Sequence, residues 1–155
     1  MAERGVIRNR EFKQQIADFS GLRWGKVTPT DLDGFIDFGN KLFVFIESKH
    51  GDSVMPYGQR LALERLCDAC HKPPLRYAVG FVVSQWSSGD IDMAQTTVTA
   101  IRWEGKWSPP KAANSALVDG IEAFRKRFTN SNVVPFVKPE PKDEWLSAYE
   151  RIEGG

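Results

Sequence analysis

The sequence predicts an α/β protein, an α/β/α sandwich with a central mixed sheet. Three observations carry that expectation. Strand-like and helical runs alternate along the chain. A strand, a helix and a strand follow one another between Leu42 and Ser84, an order that makes the two strands parallel. The strand runs are apolar on nearly every position, as in a sheet covered on both faces. The expected order is α-β-β-β-α-β-β-α. With 155 residues, 41% apolar and 26% charged, the chain has the size and composition of one globular domain. That excludes wholesale disorder, a collagen-like repeat and a disulfide-stapled miniprotein.

Asn9 to Phe19 reads as a helix, with Phe12, Ile16 and Phe19 on one stripe. Leu32 to Phe38 and Leu42 to Lys49 are strands, and Gly39-Asn40-Lys41 between them is a hairpin signal. Pro56 suits the first turn of a helix reaching Cys70, with Pro73-Pro74 beyond its end. On that helix Gln59, Ala62, Leu63, Leu66 and Cys70 share a stripe, and Arg60, Glu64 and Asp68 line the opposite face. Tyr77 to Ser84 is a buried strand and Met93 to Trp103 another. Pro109-Pro110 opens a long helix whose buried stripe is Leu117, Ile121, Phe124 and Phe128. Residues 1–155 are expected to form a single domain. Residues 130–155, with Pro135, Pro139 and Pro141, are expected to be an extended tail docking on it through Trp145, Leu146 and Tyr149.

Twenty-one Lys and Arg against 20 Asp and Glu leave a net charge of +1. A nucleic-acid partner would therefore be held by a local patch and not by a global basic field. The longest uninterrupted apolar run is Leu42 to Ile46, far short of the ~20 residues that span a bilayer, so no membrane partner is expected. The opening residues, Met1 to Gly5, lack the apolar stretch of a signal peptide. The expectation is a cytoplasmic protein whose two cysteines are reduced thiols.

The chemistry concentrates in Asp31-Leu32-Asp33-Gly34 and in Glu47-Ser48-Lys49. Glu47 and Lys49 stand two apart and project from one face of a strand. Buried there with no task, both charges would be costly. A hard divalent cation changes that, because it takes carboxylate oxygens plus water, and a nearby Lys can stabilise developing phosphoryl charge. Hairpin register decides whether a second carboxylate joins them. A two-residue loop would pair Phe38 with Lys41 and set Asp33 across from Ile46. A three-residue loop pairs Phe38 with Leu42 and sets Asp33 across from Glu47, with Cβ atoms about 4.5–5.5 Å apart. Three-residue hairpin loops are common, and the register that joins the carboxylates is the expected one.

Asp33, then thirteen intervening residues, then Glu47-Ser48-Lys49 at the end of an apolar strand, then a helix with Gln59 near its start: between Thr30 and Ser84 this resembles the PD-(D/E)XK nuclease superfamily. The resemblance implies a restriction-endonuclease-like fold and a metal-dependent deoxyribonuclease that hydrolyses phosphodiester bonds with Mg²⁺ or Mn²⁺. It implies Asp33 and Glu47 as metal ligands with the Ser48 carbonyl as a third, Lys49 as catalytic lysine and Gln59 as an active-site positioning residue. Leu32 stands where the family name has Pro. Asp31 is an alternative to Asp33 in a different register. Glu11, on the first helix, is a further acidic candidate, although a solvated helix charge is the simpler reading. Arg60 is the cation nearest the site and the expected DNA contact. Small single-domain nucleases of this type are common in phages and other mobile elements, with roles in recombination, repair or branched-DNA resolution. A homodimer would suit two-strand cutting. The alternative is a non-catalytic DNA-binding module on the same fold, against which the intact Asp, Glu and Lys weigh.

Four weaker signals remain. Cys67-Asp68-Ala69-Cys70-His71 matches a haem-attachment spacing, yet it continues a helix stripe and reads better as buried thiols. Trp24, Trp86, Trp103 and Trp107 could include a base-stacking platform, with core packing the more economical reading. Arg125-Lys126-Arg127 and His50 read as a solvated helix face and a structural residue.

Overall fold

The computed structural model describes residues 9–112 and 115–129. Its centre is one five-stranded mixed sheet, ordered β1-β2-β3-β4-β5 and formed by Gly34–Phe38, Leu42–His50, Tyr77–Gln85, Thr97–Trp103 and Lys106–Ser108. The helices are α1 (Arg10–Gln14), α2 (Tyr57–Cys70) and α3 (Leu117–Phe128). Among the described residues no helix is long and apolar enough to cross a membrane.

The β1–β2 hairpin follows from its loop. Gly39 and Asn40 both take the left-handed conformation, with φ of 58° and 61°, which Gly and Asn reach at least cost. The Lys41 N–H closes the turn on the Phe38 carbonyl at 3.0 Å, and the Asn40 N–H is held by Asp37 Oδ1 at 2.7 Å. Phe38 therefore pairs with Leu42, and the ladder runs to Gly34 opposite Ile46. This is the three-residue loop.

From β2 the chain crosses through α2 and returns as β3, parallel to β2 from Leu42 opposite Tyr77 to His50 opposite Gln85. Alternation along β2 then divides the core in two. Leu42, Val44 and Ile46 join Val79, Phe81, Val83 and Leu117 of α3 on one face. Phe45 joins Ala78, Val82, Leu63 and Cys67 of α2 on the other. Each helix comes close to the sheet where a residue lacks a side chain. A Cβ at Gly80 would lie 3.2 Å from Arg102 Cβ and 3.8 Å from Cys67 Sγ, and one on Gly120 would lie 3.0 Å from the Phe81 ring.

Several expectations are corrected. The element order is α-β-β-α-β-β-β-α, with two strands and not three ahead of the long helix. The extra strand after it is β5, a three-residue return paired with β4 across a turn in which Glu104 and Gly105 have positive φ. Only β2 and β3 are covered on both faces. β1 is an edge strand, and its Phe35 is half exposed. Helix α1 stops at Gln14, where Phe12 and Ile16 are exposed among the described residues, and an isolated helix of that length has little stability of its own. On α2 the buried positions are Leu63 and Cys67, while Leu66 is largely exposed. The charged stripe of α2 faces protein: Asp68 pairs with Arg102 and Glu64 accepts from the Trp107 indole at 2.6 Å. Met93–Gln95 is a 3₁₀ turn ahead of β4. Helix α3 begins at Leu117, seven residues past Pro110, because Ser115 and Leu117 first pair their backbone with Val98 and Thr96. The tail over 130–155 lies outside the described residues.

Candidate functional site

β2 outlasts β1 by several residues, and the site forms where that overhang begins. The ladder ends at Gly34 opposite Ile46, and Asp33 occupies the bend just before it, close enough for its charge to act on Glu47. The Ser48 N–H, which β1 no longer pairs, donates to Asp33 Oδ2 at 2.7 Å. Glu47 and Lys49 lie on the α2 face of the sheet, two residues apart. Gln59 comes down on them from the first turns of α2, positioned by Leu63 one turn further on.

The cluster is closed by hydrogen bonds. Gln59 Nε2 donates to Glu47 Oε1 at 2.7 Å, and Lys49 Nζ donates to Gln59 Oε1 at 2.6 Å. Lys49 Nζ also stands 3.3 Å from Glu47 Oε1. Gln59 thus spans an anion and a cation, with each end of its amide matched to the charge it meets. Glu47 is only 4% exposed. Burial pushes its carboxyl above the ordinary range, and the neighbouring Asp33 charge adds to the rise, while Lys49 and Gln59 oppose it. Among the described residues Glu47 Oε2 makes no hydrogen bond, and no buried side-chain oxygen lacks a partner. Oε2 is therefore not fully enclosed and reaches the open side of the cluster.

Other candidates fall elsewhere. Asp31 is exposed in the segment before β1 and makes no hydrogen bond among the described residues, whereas Asp33 accepts from the Ser48 N–H and its charge acts on Glu47. Glu11 is exposed on α1, whose neighbouring Arg10 pairs with Asp90 and not with the carboxylate cluster. Arg60 is beside Gln59 and exposed, 3.6 Å from Glu64 and over the Tyr57 ring. His50 projects from the strand face opposite Lys49 and bonds Gln85 at 3.1 Å. Cys67 is buried with its thiol pushed up to about 12 by burial, an inert packing residue, and both cysteines are free. Trp103 packs against Tyr77, Phe124 and Phe128, whereas Trp24 and Trp86 are each 68% exposed.

The sequence reading missed the far wall of the site. Because β2 and β3 are parallel, Lys49 sits opposite Ser84, and a groove of about 320 Å³ runs from Lys49 past Ser84, Thr99 and Trp86. The available signal was the strand–helix–strand order, which brings the carboxyl ends of two parallel strands together, the usual place for a ligand in an open α/β sheet.

Asp33 and Glu47 suit a hard divalent cation. Among the described residues no three His, Cys, Asp or Glu side chains converge. Mg²⁺ keeps several waters and is commonly held by one or two carboxylates. A raised, buried carboxyl facing a second one is the donor set that such an ion would stabilise. No family model, curated protein or solved structure matches the chain.

Proposed function

We propose that the protein is a divalent-metal-dependent deoxyribonuclease with a restriction-endonuclease-like fold. The reading rests on one observation: a buried Glu47, facing Asp33, is tied through Gln59 to Lys49 at the end of a central strand.

Asp33, Glu47 and the Ser48 carbonyl would hold Mg²⁺ or Mn²⁺. Once bound, the cation would polarise the scissile phosphate and lower the pKa of the attacking water. Lys49 places a positive charge beside the pentacovalent phosphorus, where negative charge grows during attack. Its Nζ also donates a proton in hydrogen bonds to non-bridging oxygens. Gln59 holds Lys49 and Glu47 at fixed separation, so neither side chain has to reorganise when substrate arrives. Burial of Glu47 keeps bulk water from screening these charges.

The experiment is cleavage of plasmid and oligonucleotide DNA with Mg²⁺, with Mn²⁺ and with EDTA. Wild type should cut only with the cation, and Glu47→Gln should lose at least about 100-fold in rate, the order found when one charge-stabilising group is removed from an active site. Cation-independent cutting, or a fully active Glu47→Gln protein, refutes the assignment.

A further inference from the structure

The groove that opens beside Lys49 has a chemistry of its own. Among the described residues its lining contains no cation apart from Lys49, and it includes the carboxylate of Asp52. A track for the DNA backbone needs Lys or Arg along its length, so the groove is not built for consecutive phosphates. It offers hydroxyls and an aromatic ring instead. Within the described residues the Ser53 and Ser84 hydroxyls make no hydrogen bond, and Thr99 Oγ1 donates only to the Val82 carbonyl at 3.1 Å.

Trp86 is the large side chain of this wall. It is 68% exposed, and its indole N–H makes no hydrogen bond within the described residues. The ring is nevertheless located, because it lies on Gly51, where an added Cβ would stand 3.0 Å from it. Gly51 has φ of 58° and donates its N–H to the Gln85 carbonyl at 2.8 Å, so the loop after β2 and the end of β3 are pinned together under the indole. At about 320 Å³ the groove is at the small end of ligand sites, with room for one nucleoside and none for a base pair.

We propose that this groove seats one unpaired nucleobase of the DNA, stacked on Trp86, next to the phosphate that meets Lys49. The proposal rests on the nuclease reading for its substrate and extends it. The substrate class becomes single-stranded, frayed or flapped DNA, because a base in a duplex cannot reach the ring without leaving its stack.

The test is equilibrium binding, read by anisotropy, of a dye-labelled oligothymidylate and of a blunt duplex of equal length, with Ca²⁺ replacing Mg²⁺. Wild type should bind the single strand at least about tenfold more tightly than the duplex. Trp86→Ala should weaken single-strand binding about tenfold, the order of one lost stacking contact, with an unchanged melting temperature. Trp86→Phe should restore most of the loss, which a merely structural role would not require. Equal binding of both DNAs, binding of neither, or a Trp86→Ala protein with wild-type single-strand affinity overturns the proposal. Trp86-dependent single-strand binding without cleavage in Mg²⁺ or Mn²⁺ supports the groove and refutes the nuclease. Metal-dependent cleavage indifferent to Trp86 does the reverse.

Discussion

Gln59 carries much of the site's order because it is the one neutral group between two opposite charges, bonded to Glu47 at 2.7 Å and to Lys49 at 2.6 Å. It was legible as the one polar residue on an apolar helix stripe, just as Glu47 and Lys49 were legible from their spacing of two. Trp86 was named only as one of four tryptophans that could include a base-stacking platform, because nothing in its neighbours distinguishes a tryptophan over a glycine from one in a core. Glu47 supplies a prediction at this scale. Its carboxyl is raised in the folded protein by burial and by Asp33, so folding takes up protons as Glu47 titrates. The resulting stability is fully present below the unfolded carboxyl's pKa and is lost as pH rises through the folded value. Glu47→Gln mimics the protonated form. Without metal it should melt several degrees above wild type at pH 7, and the gap should close as pH falls toward 4. Melting curves from pH 4 to 8 in EDTA check this, and saturating Mg²⁺ should reverse the order at pH 7 by stabilising wild type alone.

Among the elements, β2, α2 and β3 match the sequence pattern closely, while α1 and α3 depart from it. β2, α2 and β3 pack on one another and lie within about a residue of their expected bounds. α1 falls short, with Phe12 and Ile16 exposed among the described residues, and α3 starts late because Ser115 and Leu117 pair with the start of β4, a tertiary demand that the prolines before it do not announce. Two helical glycines show how packing overrides propensity. Gly58 on α2 has open space around it, so Gly58→Ala should stabilise by about 0.4–1 kcal/mol through the unfolded chain. On Gly120 of α3 an added Cβ would stand 3.0 Å from the ring of the fully buried Phe81. Gly120→Ala should therefore destabilise by about 1–3 kcal/mol despite its better helix propensity. Urea denaturation of the two variants reads opposite signs if the helix–sheet contact is as close as described.

Across the whole molecule, the sheet separates function from scaffold. The cluster and the groove lie on the α2 face at the carboxyl ends of β2 and β3, and the Arg125-Lys126-Arg127 run is carried by α3 on the other face. That run therefore does not line the proposed site. Arg76 is likewise spent on structure, bonding the Cys70 carbonyl and Asn40 Oδ1 at 3.0 Å each. A net charge of +1 leaves little long-range attraction for DNA, so binding has to come from the site and its groove. The central claim is that two carboxylates hold a cation while Lys49 performs chemistry beside them, and Lys49→Ala separates the two roles. The direct measurement is the Mn²⁺-induced rise in melting temperature and the rate of DNA cleavage, taken on the same Lys49→Ala sample. The account predicts a thermal shift within about a degree of wild type and cleavage reduced at least about 100-fold. A Lys49→Ala protein that cuts DNA at the wild-type rate, or a wild type that Mn²⁺ does not stabilise, would contradict it.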